Sequence, residues 1–186
     1  MMTLSQTFKS FVAIVLVTVS CSFPVFAGSE ELDQLYDELA QASESEWRGI
    51  EQKIWTEWSR SGSASMDLLL ERGVAAMEAG DLDTAIEHLT ALTDHAPDFA
   101  AGWNARATAY YQAGLYGPSI EDIGHVLTLN PRHFGAISGL ALILEELGYP
   151  KEALEAYREV EAIHPRSANL KEAIERLEEQ TSGTDL

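Results

Sequence analysis

The side chains of this sequence best suited to chemistry are five histidines, several adjacent carboxylates, and two arginines set among apolar residues, Arg72 and Arg106. A metal site needs three or four donors converging on one point, and general acid–base work needs a titratable group aimed at its target. His88, His95, His125, His133 and His164 form no i, i+4 pair, and Glu145-Glu146 and Glu178-Glu179 are consecutive residues that a helix turns to different faces. No HExxH pair, phosphate-cradling glycine loop, nucleophile elbow or dinucleotide fingerprint occurs. The expectation is a chain with no catalytic residue, no metal and no cofactor, and so not an enzyme.

One stretch resembles a site on first reading: TLNPRHFGA, Thr128 to Ala136, sets an Asn-Pro break beside an arginine, a histidine and an aromatic. Its place follows from the elements around it. Pro97, Pro131 and Pro165 are 34 residues apart, and so are Gly80, Gly114 and Gly148. A fixed period of this length marks a repeat array. In the frame 66–99, 100–133 and 134–167, small residues recur at the eighth place (Gly73, Ala107, Ala141) and the twentieth (Ala85, Ser119, Ala153). Large apolar residues recur at the fourth (Leu69, Trp103, Ile137), the twenty-fourth (Leu89, Ile123, Tyr157) and the twenty-seventh (Leu92, Val126, Val160).

Each unit reads as a helix, a tight turn and a second helix, because places 4, 8 and 11 share one helical face and places 20, 24 and 27 share one face of the next. The small residues let the two helices approach closely. The glycine at place 15 suits the left-handed conformation that closes the first helix, and the proline at place 32 ends the second. Asn130-Pro131 is then a repeat boundary, and Arg132 and His133 are expected in a connecting turn, facing water.

The period, the glycine and proline, the paired small places and the Trp103…Tyr110 pair resemble the tetratricopeptide repeat family across residues 66–167. The resemblance implies an all-α fold, a right-handed α-solenoid of antiparallel helix pairs whose concave face, lined by the first helix of each repeat, binds a peptide or protein. Carried over residue by residue, its groove places give Asp67, Leu70, Val74, Met77 and Glu78 in the first repeat. They give Asn104, Thr108, Tyr111 and Gln112 in the second, and Ser138, Leu142, Glu145 and Glu146 in the third. Members that clamp a partner's terminal carboxylate use basic groove residues. None stands here, which favours a neutral or basic segment held by Asn104 and Gln112. Arg72 and Arg106 share place 7, core-facing in many such repeats, so Arg106 is expected to bury its stem and pair with Asp122.

Stacked repeats need caps at their ends. Residues 28–65 are expected to supply a degenerate helix pair that covers the first repeat, followed by a short Gly/Ser linker. Residues 168–180 supply an amphipathic capping helix, and 181–186 a disordered tail. Trp47 and Trp58 fall on the inward stripe of the second cap helix; Trp55 fits it less well and is the candidate cap interface for a partner.

Residues 1–27 carry one charge, Lys9, then the apolar run Phe11 to Val19, then Pro24 before Val25-Phe26-Ala27. This is the three-part pattern of a signal peptide cut after Ala27, with a lipoprotein cut before Cys21 as the alternative. Cys21 is the only cysteine, so the chain beyond it has neither a disulfide nor a thiolate site. A net charge of −18 with no basic block disfavours nucleic acid and anionic membranes, and no membrane insertion of the mature chain is expected. The reading is a non-catalytic scaffold or adaptor of the cell envelope, periplasmic or secreted. Alternatives are a structural subunit that docks through its end faces or Trp-bearing cap, and an accessory domain of an enzyme. Mass spectrometry of the mature amino terminus should find Gly28 first; a lipid-bearing Cys21 or an intact Met1 would refute the cut.

Overall fold

The computed structural model of the protein describes residues 27–182, with side chains from Glu30 onward. The segment expected to be a signal peptide, as far as Phe26 and with Cys21 in it, lies outside the described residues, as does the expected tail from Gly183. Nine helices and no strand occur among the described residues: α1 (Ala27–Gln41), α2 (Trp47–Trp58), α3 (Ala64–Glu78), α4 (Leu82–His95), α5 (Ala100–Gln112), α6 (Tyr116–Leu129), α7 (Phe134–Glu146), α8 (Pro150–Ile163) and α9 (Leu170–Ser182). The chain is an α-solenoid in which α3–α4, α5–α6 and α7–α8 are antiparallel pairs and each pair packs on the next.

The turns obey the chemistry read from the sequence. Gly80, Gly114 and Gly148 take φ of 76°, 73° and 81°. Each is followed by a backbone bond that satisfies an orphan carbonyl: Asp81 N–H to Ala76 (2.9 Å), Leu115 to Tyr110 (2.8 Å) and Tyr149 to Leu144 (2.9 Å). The second helices end at Ala96, Asn130 and His164, each swung out of helical geometry ahead of its proline. Between paired helices the small places touch. A Cβ on Gly73 would stand 2.5 Å from Leu89 Cγ. Ala85, Ala107, Ser119, Ala141 and Ala153 are all buried, and the Ser119 hydroxyl donates to the Ala107 carbonyl across the α5–α6 interface at 2.7 Å.

The ends depart from expectation. The α1–α2 hairpin does not cover the first repeat. Its Leu35, Tyr36, Leu39, Trp47, Ile54 and Trp58 join one core with Phe134, Leu154, Tyr157, Val160 and Leu170, so it docks on the third repeat. Adjacency along the chain suggested the near end, but the α2 stripe finds its apolar complement at the far one. Arg72, expected to face a core, is exposed, because the first repeat is the end of the stack on that side. Arg106 keeps the expected pair: Nε and Nη2 donate to Asp122 at 2.7 and 2.8 Å, and Nη1 to Thr93 at 2.8 Å. At the far end α9 starts at Leu170 and runs through Ser182, so Thr181 and Ser182 belong to the capping helix rather than to a tail.

Gly73→Ala should destabilise the fold by about 1–3 kcal/mol, since the buried Leu89 has no room to yield. Gly139→Ala, whose Cβ would meet Ile123 at an ordinary 3.8 Å, should stabilise α7 by about 0.5–1 kcal/mol. Urea denaturation of both variants checks the pair, and equal signs would refute the close approach at Gly73.

Candidate peptide groove and the cap against it

The first helices α5 and α7 run side by side and enclose, with α6 beneath, a cavity of about 300 Å³. Its floor is Ala107, Ile123, Ala136, Gly139 and Ile143; its rim is Asn104, Thr108, Tyr111, Gln112, Ser138 and Leu142. Among the described residues no charged side chain lines it. Six candidate groove residues are therefore brought to one place. Floor residues such as Gly139 have little side chain to announce them, and the only signal for them is the helical period. A larger cleft, of about 610 Å³, lies between α1 and α2, but Asp37, Glu38, Glu46 and Lys53 wall it and it opens widely to solvent.

Glu145 is not in the cavity. It accepts from Tyr157 Oη at 2.9 Å and pairs with Arg176 at 2.5 Å, which ties α7 to α8 and α9 and, led by the arginine bond, holds its carboxyl below the usual range. One helical residue turns the chain by about 100°, so its neighbour takes the groove side instead. Glu146 accepts from Tyr111 Oη (3.1 Å) and Tyr116 Oη (2.7 Å) at the end of the groove. Burial and the bond to Glu146 raise the Tyr111 phenol, and that bond is the leading cause of the same shift in Tyr116. Tyr116 lies outside the first helices and no periodicity pointed to it.

Trp55 stands beside the other end of the groove, at Gly135. The indole of this cap residue, offered by the sequence as a partner surface, is half-buried against the protein itself. It lies edge-on to Trp58 (4.7 Å), His133 (5.8 Å) and Phe134 (5.8 Å), and a Cβ on Gly135 would meet its Cη2 at 2.7 Å. Gly135 is the second residue of α7 and also borders the cavity.

The stretch around Arg132-His133-Phe134 is thus a binding site after all, for the chain's own hairpin. His133, expected in water, is buried, stacks on Trp58 at 3.8 Å, and caps α7 by accepting from the Ala136 N–H through Nδ1. Arg132 lies over Tyr36 and pairs with Asp33, while Tyr36 and Asn130 bond through their side chains. One repeat on, His164 is buried against Trp47 (5.3 Å), and Arg166 donates to the Ala42 carbonyl and to Glu44. Burial holds His133 down at about 4 and lowers His164 too, against the opposing pull of Glu51.

Among the described residues no three potential metal ligands converge, and no helix is long and apolar enough to cross a membrane. Paired helices stacked around an uncharged, partly apolar groove define a helical-repeat scaffold. A family model described as tetratricopeptide repeat matches residues 70–124. A TPR repeat-containing protein of Rhizobium etli is 36% identical over 155 residues, which is 83% of this chain and 76% of that one. The chain belongs to the tetratricopeptide repeat family. The Sgt2 TPR domain from Aspergillus fumigatus is similar in structure, with a TM-score of 0.61 at 25% identity over 66% of this chain and 83% of that one. The first TPR of Spaghetti (RPAP3), solved bound to the HSP90 peptide SRMEEVD, gives a TM-score of 0.60 at 21% identity over 63% and 93%, and shows the fold alone.

An imidazole that ordinarily takes its proton near 6.5 and here takes it near 4 binds that proton better once the fold opens. The native state is therefore at full strength above pH 6.5 and weakens as the pH falls toward 4. Between pH 7 and pH 5 the loss should be about 2 kcal/mol from His133 alone, read by urea denaturation at each pH. His133→Asn keeps a capping acceptor and cannot charge, so it should show less than half the wild-type loss; an unchanged loss would place the titration elsewhere.

Proposed function

We propose that the protein is a non-catalytic adaptor of the cell envelope that holds a short segment of a partner protein along α7. The observation that carries this reading is the cavity itself: an apolar floor for one or two side chains, with amides and hydroxyls at the rim where a peptide backbone needs donors and acceptors. Gly135 and Glu146 bound the groove at opposite ends of α7, about 16 Å apart, the span of about five extended residues.

Charge sets the kind of segment. The uncharged lining and the carboxylate of Glu146 at one end suit a neutral segment, or one with a basic residue beside Tyr111 and Tyr116. An acidic peptide such as the one held by the Spaghetti domain would meet no cation here. Export rests on the signal-like first 27 residues.

Asn104→Ala with Leu142→Ala should weaken partner capture from the envelope fraction by at least about tenfold, equivalent to about 1.4 kcal/mol, with the helical content unchanged. Undiminished capture by the double variant would refute the groove. Glu146→Lys should reverse the charge preference of the captured segment.

A further inference from the structure

We propose that the α1–α2 hairpin is a gate on the groove: docked, it closes the Gly135 end with Trp55, and swung away as a unit it lets a longer segment run past Gly135. The claim concerns regulation of the groove and rests on the reading of that groove as the binding site.

Four observations carry it. The indole of Trp55 stands where the first groove-facing residue of α7 would otherwise project, and the missing side chain at Gly135 is what admits it. The hairpin is held by its apolar stripe in the shared core, and at the repeat-boundary turns by stacking on His133 and His164, the Arg166 bond to the Ala42 carbonyl, and solvent-exposed ion pairs of Arg132 and Arg166. Exposed pairs of this kind add little to stability.

The seat is also imperfectly satisfied. Among the described residues, His133 Nε2 and His164 Nδ1 are buried with no hydrogen-bond partner, a cost that docking bears and release removes. Finally, the tether has a natural pivot. Ser59 and Arg60 donate backward to Trp55 and Glu57 and belong to the end of α2, whereas Ser61 donates forward to Asp67 in the first turn of α3. Nothing in that set crosses the Arg60–Ser61 junction, so once the hairpin's core contacts part it can swing about that junction without breaking a bond of α3.

The test uses the full chain carrying Cys21→Ser and Ser138→Cys, with a polyethylene-glycol maleimide as the probe of groove access, and hydrogen exchange as the probe of opening. In the wild-type background α1 and α2 should exchange through an opening that leaves α3 to α8 protected. Trp55→Ala with Trp58→Ala should speed that exchange at least tenfold and labelling of the thiol at least fivefold. Asp33→Lys, which sets like charge against Arg132 on the surface, should move both readouts the same way without touching the core. Exchange of the hairpin only together with α7 and α8, or thiol labelling unmoved in Asp33→Lys, overturns the gate. Neither readout involves a partner, so the gate and the groove fail separately: loss of the gate leaves the Asn104/Leu142 result standing, and the reverse holds.

Discussion

Gly73 meets Leu89 so closely that one added carbon would overlap it, and forty-odd residues on, a serine hydroxyl of α6 reaches the backbone of α5. This intimate contact between paired helices is the constraint from which the rest of the architecture follows. It brings each second helix under its first and leaves the first helices side by side. With α6 tucked this close beneath α5 and α7, Ile123 both packs in the core and forms the floor of the cavity. Small residues at the interface and a small-residue wall in the groove, Ala107, Ala136 and Gly139, are two faces of one packing solution. The bidentate Arg106–Asp122 pair, with Thr93 as a third partner, joins α4, α5 and α6 in the same way with charge in place of shape.

The amino-terminal hairpin uses a different logic. It is amphipathic but short, and two helices alone do not bury enough apolar surface to persist. Its stripe of Leu35, Leu39, Trp47, Ile54 and Trp58 needs a partner, and the third repeat supplies one at the turns where the backbone leaves α6 and α8. Histidine suits those turns for two reasons. His133 Nδ1 accepts the orphan Ala136 N–H, and the same flat ring offers a face to Trp58. A serine or aspartate would cap as well and stack on nothing.

The legible part of the protein was the part with a period. Gly80, Gly114 and Gly148 in left-handed turns, the pairing of helices and the Arg106–Asp122 contact all follow from local or one-helix-away relations, which a 34-residue frame places without knowledge of the whole. Asn104, Thr108, Tyr111, Gln112, Ser138 and Leu142 were legible through the same frame. What it did not reach is whatever leaves the frame. The choice of Glu146 over Glu145 turns on one residue of helical rotation, and both are glutamates. The docking of Trp55 at Gly135 joins residues eighty apart in sequence through a glycine whose role is to be absent. The burial of His133 depends on a hairpin that arrives from outside the repeat.

The two ends of the groove differ in kind, and that difference bears on direction. At the Glu146 end two phenols donate to a carboxylate that stays exposed, so the local field is negative and persists in water only over about a Debye length, about 8–10 Å. At the Gly135 end the neighbouring side chains are aromatic. If the proposed groove holds a segment with one basic and one apolar end, that segment has one favourable orientation along α7 and not two. With a net charge of −18, attraction of a cationic segment is not confined to the groove, so attraction alone selects little. In the proposed reading, selection falls to the uncharged cavity between the two ends, where a side chain must lose its water, and to Trp55 as the proposed gate on how far past it the segment extends.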